Sequence, residues 1–176
     1  MTTTASPRAS TVVVPFAAGT AAAVALGVYG RLHDPTGVAI NIAGFSSFQS
    51  VKAWLATLAA VLGVVQILSA AALYRGRSGL APLHRWSGRA AVAVTLPVVA
   101  HCLYALGFQY GEPRVLIHSL LGCFFYGAFV AKMLTLTRTD APRWLLPVAG
   151  GAVFTGLVGL WLTSSLWFFT TFGIIR

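Results

Sequence analysis

Acidic residues are nearly missing from this chain. Among its 176 residues only Asp34, Glu112 and Asp140 carry a carboxylate side chain, against twelve lysines and arginines. Paired-carboxylate acid–base chemistry has almost nothing to work with. Charge of either sign is scarce, at 9% of residues, where a soluble domain of this length carries about a quarter. Only two cysteines occur, Cys102 and Cys123, and both fall inside apolar runs. They read as small packing residues and not as a disulfide or a metal site. There is no phosphate-binding glycine loop, internal repeat or low-complexity segment. The net charge of +9 does not point to nucleic acid, because the basic residues lie between apolar runs, where membrane proteins place their anchors.

What the chain does have is apolar residues, 57% of the total. A surface so poor in charge would not stay dispersed in water, so lipid must cover it. Five apolar runs near the length of a membrane span cover approximately 11–30, 51–74, 86–108, 115–136 and 144–172. The first follows a short start bearing only Arg8, the outline of a signal peptide, and is read here as a retained helix. These runs predict a single all-α membrane domain, a five-helix bundle over 1–176. Residues 35–50, apolar but broken by Gly, Ser and Asn, are too short to span and are expected at the outer interface.

Arg75, Arg77, Arg85 and Arg89 crowd one connection, and Lys132, Arg138 and Arg143 another. The connections on the opposite side are poorer in net cations, with Arg31 and Lys52 against Asp34 in one and Arg114 against Glu112 in the other. The positive-inside rule then puts the N-terminus inside and the C-terminus outside. Trp144 marks the inner interface, and Trp167, Phe168, Phe169 and Phe172 the outer one. Small residues recur every fourth position, as Gly19, Ala23 and Gly27 and as Gly151, Thr155 and Gly159. Such ridges let helices approach closely, within the bundle or in a homo-oligomer.

Two of the four histidines, His101 and His118, interrupt apolar helices, and an ionisable group at membrane depth is a functional hypothesis by default. His101 lies seven residues before Phe108, about 10 Å below the outer end of the third helix, and His118 about 6 Å into the fourth. The short loop 109–113 makes these helices antiparallel, so the two imidazoles share a depth. Facing imidazoles are what a six-coordinate haem iron needs. Gly122, one turn from His118, leaves room for a ring edge. Pro97, one turn from His101, favours a kink there. Tyr104, Phe125 and Phe129 are candidates to pack round a macrocycle, and Arg114 to pair with its propionates. The cofactor-free alternative bonds both histidines to helix carbonyls, or to Ser119 and Tyr104. Zinc is disfavoured, since a closed site needs about four ligands. His84 is a weaker candidate iron ligand near the inner face, where only Met133 or Lys132 could complete the pair. His33, beside Asp34 and Pro35 in a turn, ranks lower still.

The stretch His84-Arg85-Trp86-Ser87-Gly88-Arg89 resembles the histidine–glycine signature of ferric-reductase-like transmembrane cytochromes b. That resemblance implies helix histidines that hold haem and a protein that moves electrons. The longer stretches LHRWSGRAAVAVTLPVVAHCLYALGFQ, RVLIHSLLGCFFYGAFVAKM and LPVAGG…WLTSSLWFF are similar to an actinobacterial membrane family of unknown function, suspected of binding haem b. The resemblance points to His84, His101 and His118. The expectation is a bundle in the bacterial plasma membrane that binds one haem b per chain through His101 and His118. It would exchange single electrons with quinone, an extracytoplasmic redox protein or a larger respiratory complex. A cofactor-free structural or assembly subunit is the main rival, and a small transporter the next. The orientation is testable directly: a cysteine engineered at Gly79, in a background without Cys102 and Cys123, should react with impermeant maleimide only from the cytoplasmic side. Labelling from outside would invert the topology.

Overall fold

The computed structural model describes residues 9–38 and 45–174. Helix α1 covers Ala9–Leu32, α2 Phe48–Tyr74, α3 Ala81–His101, α4 Pro113–Leu136 and α5 Leu145–Trp161. Single π-helical turns follow α3, at Cys102–Leu106, and α5, at Leu162–Leu166; the second runs straight on into the short α6, Trp167–Phe172. Counting these continuations, five helices among the described residues are long and apolar enough to cross a membrane. Strands are absent among the described residues.

The helix ends follow from local chemistry. The side chain of Ser47 caps α2 by accepting the Ser50 amide, and Pro113 opens α4 where a missing N–H costs nothing. Helix α2 ends in a Schellman motif. Gly76 adopts φ +86°, its amide bonds to Leu73 O, and the Arg77 amide bonds to Ala72 O.

The third helix begins at Ala81, five residues before the expected start at 86. Arg85 and Arg89 are exposed, and Arg89 stacks on Trp86, so their apolar stems run along the helix while the charges stay at its rim. The His84–Gly88 stretch is therefore helical and not a loop. Of the expected interfacial segment 35–50, residues 39–44 lie outside those described. Residues 48–50 belong to α2, and the amides of Thr36 and Gly37 bond to the carbonyls of Tyr104 and Ala105.

Packing runs α1 on α4, α4 on α5, α5 on α2 and α2 on α3, and the π turn after α3 reaches back to α1. Helix α3 meets α4 only sparsely, although a short loop joins them. The α1–α4 contact is made by small residues on both sides. A Cβ on Gly19 would lie 2.5 Å from Gly127 O, and one on Gly127 would lie 2.6 Å from Gly19 O and 2.8 Å from the Ala23 Cβ. The ridge Gly19–Ala23–Gly27 thus docks on a matching ridge, Cys123–Gly127–Ala131, inside one chain. In α5, Gly156 and Gly159 pack against Phe125 and Leu121 of α4, whereas Gly151 faces open space.

The core is narrow. Ala59, Phe125 and Leu157 form its centre, with Val94, Tyr126, Val153 and Leu160 around it. Large apolar side chains along the helices, such as Val61, Leu68, Leu120 and Val148, face outward. That is the surface of a protein whose solvent is the bilayer, where close backbone packing replaces a wide apolar core.

At the arginine-rich end, the Thr11 hydroxyl donates to Asp140 at 2.6 Å and ties α1 to the α4–α5 connection. At the far end, the Phe108 amide bonds to Gly30 O at 2.6 Å, just after Gly107 at φ +67°. Of the aromatic residues expected at that interface, Phe168 is instead buried against Phe169 and Phe172.

The glycine contacts set a stability prediction. Gly127→Val should cost about 1–3 kcal/mol in reversible unfolding from detergent micelles, because the backbones of α1 and α4 must separate. Gly151→Ala should stay within about 0.5 kcal/mol of wild type. Equal effects would contradict the packing.

Candidate functional site

The far half of the bundle holds both membrane-depth histidines. Their levels are set by the Tyr126 hydroxyl, which donates to Thr95 Oγ1 at 2.9 Å across the α3–α4 gap. From Thr95 to His101 is six residues, about 9 Å of helix, and from Tyr126 back to His118 is eight, about 12 Å. The helices are antiparallel, so the imidazoles stand within about 3 Å of the same depth.

His101 occupies the last position of α3, at the junction with the π turn Cys102–Leu106. Pro97, one turn earlier, removes an amide from the helix ladder. The His101 ring lies 5.3 Å from the Phe48 ring, and its Nε2 is buried without a hydrogen-bond partner among the described residues. An unpartnered buried nitrogen costs about 1–3 kcal/mol.

His118 is held differently. Its Nδ1 lies 2.9 Å from Thr163 Oγ1, and that hydroxyl also lies 2.8 Å from Gly159 O. A hydroxyl has one proton to give; when Thr163 gives it to the carbonyl, its lone pair accepts N–H from His118 Nδ1. Nε2 is then the unprotonated nitrogen. An Nδ1–H held by an oxygen acceptor is the usual second-shell arrangement of a metal-binding imidazole. Thr163 sits in the π turn of the fifth span, so each histidine abuts a π turn, a feature common at functional sites. Gly122 has open space where a side chain would be.

Arg114 shares the Thr163 support. Its Nη1 donates to Thr163 O at 2.9 Å, its guanidinium lies 3.9 Å over the Trp167 ring, and Nη2 pairs with Glu112 at 3.4 Å. Its Nε is buried without a partner among the described residues. Among the described residues, only His101 Nε2 and Arg114 Nε are buried side-chain nitrogens or oxygens lacking a hydrogen bond. Both lie in this half of the bundle.

Lys52 joins the cluster from α2. Its ammonium lies 5.0 Å over the Phe48 ring, which in turn packs against His101. Two bonds hold α2 at this level: Ser165 Oγ to Ala53 O at 3.0 Å, and Trp161 Nε1 to Thr57 Oγ1 at 2.9 Å.

Other expected residues are placed elsewhere. Tyr104 is half exposed and stacks on His33, whose Nε2 lies 3.1 Å from Tyr104 O; the π turn carries this ring away from His101. Phe125 belongs to the core against Leu157. Cys123 faces Gly27 in the α1–α4 contact. Phe129 makes no ring contact among the described residues.

His84 lies toward the arginine-rich end. Its Nδ1 is 2.9 Å from Ser69 Oγ, which donates to Val65 O at 2.6 Å; Gln66 bonds to His84 O and to Ser87 Oγ and fills the space over Gly88. Gly88 therefore serves α2–α3 packing. Among the described residues no three His, Cys, Asp or Glu side chains converge, and a haem iron asks for only two.

Lys52, Phe48 and Thr163 were missed by sequence reasoning. Lys52 was counted as a loop charge, although it lies one turn inside α2. The polar run Thr163-Ser164-Ser165 within the fifth apolar segment was the available signal for the third.

A family model matches residues 12–176, nearly the whole chain. The chain belongs to DUF6529, a family of unknown function. No curated protein and no solved structure matches it. For this DUF6529 chain the site itself must therefore carry the functional argument.

Proposed function

We propose that this protein is a haem b-binding membrane subunit for one-electron transfer, with His101 and His118 as the axial ligands of one haem per chain. The carrying observation is the pair itself: two imidazoles at one depth on helices that meet only sparsely, one with a buried Nε2 lacking a partner among the described residues, the other with Nδ1 2.9 Å from Thr163 Oγ1. Three features support this reading. His101 Nε2 has no partner among the described residues, Gly122 has open space beside it on the His118 helix, and Phe48 offers an aromatic wall at His101.

Haem, when bound, supplies the one-electron ferric–ferrous couple. The chain's own residues do the rest. Thr163 fixes the tautomer and ring orientation of His118. Arg114 holds the Thr163 carbonyl freed by the π turn, and so braces the same segment. The apolar helices keep water away. The Thr95–Tyr126 hydrogen bond ties α3 to α4 on the side of the membrane centre.

In the plasma-membrane orientation argued from the positive residues, the site lies in the outer half of a bacterial cell membrane. A single haem there suits exchange with quinone or an extracytoplasmic redox protein, within a larger respiratory complex or beside one. It is badly placed to carry charge across the whole bilayer, so a subunit fits better than a self-sufficient oxidoreductase. His84 stands about 25 Å along α3 from His101, and its anchoring by Ser69 and Gln66 serves the α2–α3 contact. The rival reading is a cofactor-free structural or assembly subunit, in which the orphaned nitrogens are simply tolerated.

Absorption spectra of protein produced with ample haem decide between the two. Wild type should give the Soret and α bands of low-spin haem b. His101→Ala or His118→Ala should convert the spectrum to high spin or abolish it. Cys102→Ala, Cys123→Ala and His84→Ala should leave it nearly unchanged. Well-folded protein without a Soret band would favour the structural subunit, and loss of half the haem in His84→Ala would require a second site.

A further inference from the structure

We infer that Lys52 is the counter-cation for a propionate of the haem, and so fixes which way the ring faces and holds its potential up. This rests on the haem reading and goes beyond it, because Arg114 was the cation expected in that role. The structure gives Arg114 other work. One terminal nitrogen is bound to Thr163 O, the other is paired with Glu112, and the plane lies over Trp167, which leaves only Nε.

Lys52 is the opposite case. It makes no hydrogen bond or ion pair with any described residue, and the one ion pair among those residues belongs to Arg114. Its ammonium rests on the Phe48 ring beside His101. It stands four residues into α2, about 6 Å from the helix start at the far end. A half-buried ammonium without an anion is costly in an apolar bundle. With three acidic residues in the whole sequence, the chain has little with which to answer that charge. A ligand bearing carboxylates on one edge would supply the anion. Entering between His101 and His118 with that edge toward the far end, it would present one carboxylate to Lys52 and leave the other to Arg114 Nε and water.

A positive charge beside the ring favours the ferrous state, which carries one positive charge fewer than the ferric. Lys52→Gln should therefore lower the midpoint potential. It should also speed haem loss to apomyoglobin by about tenfold, the range expected for one charge-assisted hydrogen bond. Lys52→Arg should restore most of both.

The decisive arm reconstitutes wild type and Lys52→Gln with haem dimethyl ester, which has no propionate charge; with this ring their haem-loss rates should coincide. Persistence of the full rate difference with the ester would overturn the inference. So would a Lys52→Gln variant with unchanged potential and haem retention. A change of spin state in Lys52→Gln would mean that Lys52 binds iron, and would overturn it too. Absence of a Soret band in wild type is a separate result and would sink the haem reading itself.

Discussion

Helix α4 has two packing faces, and both are spent away from α3. One carries Cys123, Gly127 and Ala131 against α1, close enough that a Cβ on Gly127 would collide with backbone. The other carries Leu121 and Phe125 against Gly159 and Gly156 of α5. Helix α3 is occupied in turn by α2, through Gly88, Gln66, Ser69 and His84. Two helices joined by a tight loop thus meet only sparsely, tied to each other by the Thr95–Tyr126 hydrogen bond. In water two such helices would be driven together by their apolar side chains. In lipid there is little hydrophobic force to do so, because acyl chains are as apolar as leucine.

The two π turns do complementary work around the two histidines. The turn after α3 places His101 at the junction and swings Tyr104 outward onto His33. The turn in the fifth span presents Thr163 twice, through its hydroxyl to His118 and through its carbonyl to Arg114. Widening a helix by one residue costs ladder hydrogen bonds, and here the freed carbonyl is answered by a guanidinium. Polar atoms are few in this chain, so each one that points inward carries more weight than it would in a soluble protein.

Much of this was legible in the sequence, and the rest failed for physical reasons. Span number and helical class followed from apolar run length, since a bilayer forces backbone groups to pair within the segment. The shared depth of His101 and His118 followed from rise per residue and a short loop. Tyr104 was misplaced because a 3.6-residue period cannot anticipate a π turn. The start of α3 was placed late because arginines were taken to end a helix, when they only mark its rim. Lys52 was misread for the same reason. The ridge on α1 was visible as a pattern, but its partner on α4 was disguised by Cys123, a residue that packs as a small side chain and is not usually counted with glycine and alanine.

The central claim is that one iron sits between two particular side chains of a single chain. Anomalous scattering at the iron edge, from crystals of protein produced with ample haem, addresses it most directly. The account predicts one iron peak per chain, between His101 and His118, with both Nε2 atoms directed at it. A peak beside His84, a peak shared between two chains, or none at all in protein that carries a Soret band would contradict it.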